Sequence, residues 1–220
     1  MIATWLGHSC FLLKGDDDLL ILLDPFFEDE VGYPIPIMET NIVTISHDHL
    51  DHNNIDAAGS NSDVIFGPGE YISMGIEILG IKSYHDDKKG RQRGENTIFC
   101  FELDGVRVCH LGDLGHALSP SQIREIGPVD LLFIPVGGRY TIDAKGANEV
   151  MKQLHPAVTV PMHYRTAALS FDLDTVDDFI KEKEGVTILE TLQLTEETLE
   201  GDGRVVLLSC PAAEGGPANR

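Results

Sequence analysis

Apolar residues fall in short runs through the first half of the chain, broken repeatedly by glycine and aspartate. The runs "IATWL", "SCFLLKG" and "LLILLDP" come first, followed by "NIVTIS" and "SDVIFG". Each has the length and composition of a strand bounded by turn residues. The middle of the chain adds "IEILGIKSY", "TIFCFEL" and "VRVCHLG". Between the last two, Asp104-Gly105 predicts a two-residue hairpin turn that sets Cys100 directly opposite Cys109. Beyond residue 118 the pattern changes to helix and strand in alternation. "SPSQIREIG" predicts a short helix, "VDLLFIPV" a buried strand and "DAKGANEVMKQLH" a helix closed by Pro156. "AVTVPMHY" follows as a strand. "DTVDDFIKEKEG" reads as a helix with Asp174 as N-cap and Gly185 as C-cap.

Two strand-rich halves with helices interspersed predict an α/β protein of two sheets packed face to face, helices covering the outsides. No Pro-, Gly- or Ser-rich linker divides the chain and no repeat period is evident. One domain over residues 1–212 is expected, with 213–220 ("AEGGPANR") as a loose tail. The start, "MIATWLGHSCFLLKG", lacks a basic n-region and breaks its apolar run at Gly7 and His8, so it reads as a strand rather than a signal peptide. No stretch reaches the roughly 18 to 20 apolar residues of a membrane span. A cytoplasmic protein without membrane contact is the expectation, and both a monomer and an oligomer fit the composition.

Charge narrows the partners. With 36 acidic and 16 basic residues the formal net charge is −20, which speaks against extended nucleic-acid binding. The cations are unevenly spread, since "KKGRQR" gathers Lys88, Lys89, Arg91 and Arg93. A solvated loop is the rival reading of that patch. The four cysteines, Cys10, Cys100, Cys109 and Cys210, form no C-x-x-C pair. That argues against a cysteine-bound zinc, and in a reducing compartment Cys100 and Cys109 are expected as packed thiols.

The densest chemistry lies in "SHDHLDHN", where His47, His49, Asp51 and His52 follow the apolar run "NIVTI". His47 and His49 alternate just beyond a strand, so in extended backbone both rings point the same way. Asp51 and His52 come where the chain must turn and reach a second point. Three imidazoles and a carboxylate so close are unfavourable unless a cation pairs them. Neutral imidazole nitrogen and carboxylate oxygen suit zinc, and also manganese or iron.

"SHDHLDH" resembles the signature motif of the metallo-beta-lactamase superfamily, whose members bind one or two metal ions. The resemblance implies an αββα sandwich: two mixed sheets face to face with helices on both outer faces. It also implies three further ligands at strand ends, offered here by "SYHDD" (His85), "HLGDLGH" (Asp113) and "PMHYRT" (His163). Carried over to this chain, His47, His49 and His85 would bind one metal, Asp51, His52 and His163 a second, and Asp113 would bridge them. Satisfied core histidines are the rival reading for His85 and His163, and a turn aspartate for Asp113. "WLGHSCFLL", "ILLDPFF", "HLGDLGH" and "IPVGGRYTID" further resemble the branch related to ascorbate-phosphate lactonases. The "PGHTPG" pattern of glyoxalase- and beta-lactamase-like branches is missing. His49 also stands where flavodiiron members carry glutamate, which favours hydrolysis over oxygen chemistry.

The function expected is a binuclear metal-dependent hydrolase, with zinc first and manganese, iron or nickel as alternatives. A metal-bridged hydroxide would act on a small anionic ester, lactone or phosphoester. Its rivals are a phosphodiesterase or nuclease acting on cyclic nucleotides or short nucleic acid, and a non-catalytic metal-binding module. Asp51 and Asp113 are expected to be catalytic, and His116 to protonate the leaving group. Lys88, Arg91, Arg139, Tyr164 and Arg165 are candidate substrate contacts, although Tyr164 and Tyr140 beside ligand strands also suit plain packing. His110 lies on the face of Val106 and Val108 and reads as packed and hydrogen-bonded, and His155 as a helix-end residue. His8 and Asp24 are candidates for supporting the ligands from behind.

Overall fold

The structure, a computed structural model, describes residues 1–199 and 203–215. Its strands in chain order are β1 (Ile2–Gly7), β2 (Cys10–Lys14), β3 (Leu20–Leu23), β4 (Ile42–Ile45), β5 (Asp63–Phe66), β6 (Gly69–Ser73) and β7 (Ile76–Tyr84). There follow β8 (Glu95–Leu103), β9 (Val106–His110), β10 (Leu131–Pro135), β11 (Val158–Met162), β12 (Thr187–Leu189), β13 (Thr191–Gln193) and β14 (Arg204–Leu208). The α-helices are α1 (Glu28–Val31), α2 (Pro120–Ile126), α3 (Ala144–Leu154) and α4 (Asp177–Ile180).

Two mixed sheets result. One has six strands in the order β13-β1-β2-β3-β4-β5, the other eight in the order β12-β14-β11-β10-β9-β8-β7-β6. They pack face to face through a shared core in which Phe11 of β2 meets Phe133 of β10 at 4.1 Å between ring centroids. The central strands β4, β10 and β11 are buried at every position, as parallel strands covered on both faces must be. Helix α2 starts at Ser119, whose hydroxyl accepts from the Gln122 N–H while the Gln122 side chain accepts from the Ser119 N–H. Asp143 caps α3 through the Gly146 N–H at 2.8 Å. Among the described residues no helix is long and apolar enough to cross a membrane.

The Asp104-Gly105 turn has positive φ at both residues and pairs Cys100 with Cys109, whose sulfurs lie 3.7 Å apart as free thiols. The helix expected from Asp174 to Gly185 needs correction. Only Asp177–Ile180 is helical, capped by Val176 and Lys181, while Gly185 lies in a bend beyond it. Asp174 is engaged elsewhere, donating its N–H to Gly137 and accepting from the Arg165 N–H. The run "KEKEG" offers no apolar residue for packing, and packing is what holds short helices. Ala213, placed in the expected tail, is fully buried and its carbonyl accepts from the Ala168 N–H, so it packs with the domain. Residues 216–220 of that tail lie outside the described residues.

Topology positions the site. With β8 antiparallel to both β7 and β9, the strands β7, β9, β10 and β11 run in one direction, and β3 runs parallel to β4. All their C-terminal ends therefore open on one edge of the sandwich. Asp24, His47, His85, Asp113 and His163 each stand within three residues of such an end.

Candidate metal centre

Residues 46–52 leave β4 and fold back at once, the His52 N–H donating to the His49 carbonyl at 2.9 Å. This places two ligand sets side by side. The ligand atoms of His47, His49 and His85 lie within 4.8 Å of one another, and those of His8, Asp51, His52 and His163 form a second such group. Asp113 stands between the sets. Its Oδ2 is 3.1 Å from His85 Nε2 and 3.0 Å from His163 Nε2, and its Oδ1 is 3.2 Å from His52 Nε2. Ligand atoms about 2.0–2.2 Å from a shared cation fall roughly 3–4 Å apart, which these separations match.

The nitrogens facing inward are left without protein partners. His47 Nε2, His52 Nε2 and Asp113 Oδ1 are buried without a hydrogen bond. The outer nitrogens of His47, His52 and His85 are engaged. His52 Nδ1–H donates to Asp24 Oδ2 at 2.9 Å, and His85 Nδ1–H donates to the Tyr140 carbonyl at 2.9 Å. His47 Nδ1–H donates to Ser46 Oγ at 2.9 Å, and that hydroxyl passes its own hydrogen to Asp24 Oδ2 at 2.5 Å. A carbonyl or carboxylate can only accept, so the tautomers follow from the partners, and each Nε2 is left to serve a cation. The donors present therefore fit a pair of divalent ions.

Electrostatics agree. Burial opposes the charge of Asp113, but His163, His52 and His85 hold its carboxyl well below the usual range. Burial likewise opposes Asp51, which His52 and His8 keep ionised. Burial pulls His52 down while Asp113 and Asp51 raise it further, to well above an ordinary histidine. His47 is depressed by burial and by His52. His8 is lowered to about 4 by burial and His163. Buried carboxylates held ionised beside imidazoles that burial keeps neutral are the donor set whose negative charge a bound cation offsets.

The backbone is strained here. His8, Asp24 and His163 all have φ between +43 and +51, a region side chains rarely adopt. Close approach adds to this. A Cβ on Gly137 would meet the His163 carbonyl oxygen at 2.2 Å, and one on Gly112 would meet Asn96 Oδ1 at 2.4 Å.

Asn96 and Asp86 were not singled out from the sequence. The buried Asn96 accepts from the Asp113 N–H at 2.9 Å and donates to Ser83 and to the Leu111 carbonyl. Asp86 accepts from the N–H groups of Lys88, Gly90, Gln92 and Arg93, winding the basic loop round one carboxylate. The Asp-Asp pair after His85 was the only local sign of it. His110 meets expectation, with Nε2–H donating to the Ser9 carbonyl and Nδ1 accepting from Gly112. His8 supports Asp51 through Nε2 at 3.1 Å, and Asp24 anchors His52 and Ser46.

Several expected contacts are not delivered. Both nitrogens of His116 are taken by backbone, Nε2 accepting from Tyr84 and Nδ1–H donating to Ala117. It lines a different cavity of ≈ 820 Å³, so the leaving-group role is withdrawn. Tyr164 is buried against Trp5, with ring centroids 5.4 Å apart, and does not line the metal cavity. Lys88 pairs with Asp87, Arg91 Nε–H donates to the Lys88 carbonyl, and Lys89 lines the cavity of His116. Arg139 and Arg165 both pair with Asp172. The cavity over the metal ligands, ≈ 600 Å³, is walled by Leu50, Gln92, Arg93, Tyr140 and Phe171.

A two-sheet sandwich carrying this histidine and aspartate cluster at one edge defines a metallo-hydrolase type of scaffold. The chain belongs to the beta-lactamase superfamily: the profile described as Beta-lactamase superfamily domain matches residues 3–163. A metal-dependent hydrolase of Korarchaeum cryptofilum is 30% identical over 191 residues, covering 74% of this chain and 83% of that protein. One of Archaeoglobus fulgidus is 29% identical over 199 residues, covering 77% and 85%. The crystal structure of a candidate Zn-dependent hydrolase of the metallo-beta-lactamase superfamily from Thermotoga maritima is 40% identical. It superposes with a TM-score of 0.78, covering 94% of this chain and 97% of that one.

Proposed function

We propose that the chain is a metal-dependent hydrolase of small esters, lactones or phosphoesters. His47, His49 and His85 would hold one divalent ion, Asp51, His52 and His163 another, and Asp113 would lie between them. The ligand chemistry places zinc first, with manganese, iron or nickel as alternatives. The observation that carries this reading is the convergence of these side chains, with the buried Nε2 atoms of His47 and His52 left unpaired and the outer nitrogens of His47, His52 and His85 already engaged. Divalent ions bound here would supply Lewis acidity, bringing the pKa of water towards neutrality and drawing charge from the oxygen of the bond being cut.

The chain's own residues do the rest. Asp24, Ser46 and the Tyr140 carbonyl fix imidazole orientation, so little reorganisation remains at the moment of reaction. Asp51 is kept ionised on the cavity wall, held by His8, and can accept a proton from water. Phe171 and Leu50 shield the floor from bulk solvent. Hydrolysis puts the hydroxyl of water on the acyl carbon or phosphorus and its hydrogen on the leaving oxygen. The narrower kinship with ascorbate-phosphate lactonases is part of this proposal and is supported by the motifs alone.

The test is a screen of lactones, carboxyl esters and phosphoesters with protein stripped by chelator and then refilled with each metal, with bound metal counted by mass spectrometry. Activity should vanish on stripping and return on refilling, at about two ions per chain. Turnover in the stripped protein, or no ion bound at micromolar metal, would overturn the proposal.

A further inference from the structure

The cations gathered near the metal cluster are not equivalent. Lys88 is matched to Asp87, and one aspartate, Asp172, takes both Arg139 and Arg165. Arg91 turns back onto its own loop. Arg93 is the lysine or arginine that lines the metal cavity, among the described residues, together with His49, His85 and Asp113. Its guanidinium has no carboxylate within salt-bridge distance among those residues. What sets Arg93 apart is that this unmatched charge stands on the wall of the cavity over the metal ligands.

The surroundings hold Arg93 in place without neutralising it. Its backbone N–H donates to Asp86 Oδ2 at 2.8 Å, and the neighbouring Gln92 N–H donates to the same oxygen at 2.9 Å. The guanidinium lies over the ring of Tyr140 at 5.2 Å from its centroid, so a π face is presented on one side and the N–H fork is left for another group. Tyr140 is itself tied to the cluster, because its carbonyl accepts from His85 Nδ1–H. A rigid loop, an aromatic platform and an unspent fork are what bidentate recognition of an oxyanion requires.

We propose that Arg93 is the specificity-determining residue of the site, its guanidinium taking a carboxylate or phosphate group carried by the substrate away from the bond that is cut. The proposal rests on the hydrolase reading above and narrows its substrates to those with a second, acidic group. Gln92, lining the same wall, adds a neutral amide beside that group. A stacking role alone, with Arg93 merely covering Tyr140, would leave substrate charge unread.

Zinc-loaded full-length protein can be compared with Arg93→Ala, Arg93→Lys and Arg91→Ala, each checked for folding and metal content. Calorimetric binding of succinate and acetate is measured beside kcat/KM for 4-nitrophenyl acetate and its succinate half-ester. The carboxylate common to both ligands can meet the metals, so the succinate-to-acetate ratio isolates the second charge. The expected ratio is about tenfold in the unaltered chain, the order of one charge-assisted hydrogen-bonded pair. It should collapse towards one in Arg93→Ala, fall part-way in Arg93→Lys and persist in Arg91→Ala. A ratio that survives in metal-loaded Arg93→Ala, or is absent in the unaltered chain, overturns the proposal. If neither ester turns over with two ions bound, the hydrolase reading is what fails, while calorimetry still decides on Arg93.

Discussion

Asp24 shows how much a single residue can organise. Fully buried and in left-handed backbone, it accepts from the Ser46 N–H, the Ser46 hydroxyl and His52 Nδ1. Through Ser46 it also fixes His47, so one carboxylate orients a ligand of each metal group. Asp24→Asn should lower metal affinity roughly 10- to 100-fold, the usual effect of losing such a partner, as read by competition with a chromophoric chelator. Unchanged affinity would reduce Asp24 to the end of β3. The sequence exposed Asp24 because it follows "ILL" at a strand end. It hid Asn96, whose partner Asp113 is 17 positions away and whose side chain looks like any other in a strand.

Among the elements, the loop from Asp86 to Gly94 and the paired ends of β10 and β11 shape the cavity. Burial opposes the Asp86 charge, yet N–H donation from Arg93, Gln92, Lys88 and Gly90 holds its carboxyl at about 2. An unfolded aspartate titrates near 3.9. Because the folded pKa is the lower one, stability from this carboxylate is fully present above about pH 4 and is lost as pH falls towards 2. Melting curves of Asp86→Asn should lie below those of the unaltered chain at pH 6, and the gap should close across that acid window. A constant gap would mean that the carboxylate's charge is immaterial. Just beyond the paired ends of β10 and β11, Gly137→Ala would push a methyl into the His163 carbonyl. A destabilisation of about 1–3 kcal/mol with weakened metal binding is expected, from denaturant titration. Strands β1 to β5 and β7 to β11 and both longer helices were legible from apolar runs and caps, whereas β6, β12, β13 and β14 were not. The helix expected over 174–185 was too long, since Val176, Phe179 and Ile180 are its only apolar residues to pack and the run beyond them has none.

For the whole molecule, the ligand groups come from strands of both sheets, so metal binding and sandwich assembly are coupled. His8 follows β1 and the 46–52 turn follows β4 in one sheet, whereas His85, Asp113 and His163 follow strands of the other. Ions that bind only this assembled state stabilise it in proportion to the logarithm of their concentration, about 2.7 kcal/mol at 100 times Kd. Scanning calorimetry of stripped protein against increasing zinc should show a steady rise in Tm, absent in a variant lacking both His47 and His163. A Tm indifferent to zinc would show that the cluster is assembled by packing alone and holds no ion.

The sequence by itself determined the strand runs, the Asp104-Gly105 hairpin, the ligand residue types and their order. Each of these is written in local spacing or local turn chemistry. Only the tertiary structure decided which charges remained free: Asp172, far along the chain from Arg139 and near Arg165, spends both of them. It likewise sent His116 to the backbone of Tyr84 and left Arg93 on the wall of the cavity lined by His49, His85 and Asp113. Pairing between charged side chains depends on distance in space, falling off within ångströms, and residue spacing along a chain does not encode that distance once the sheets have folded over one another.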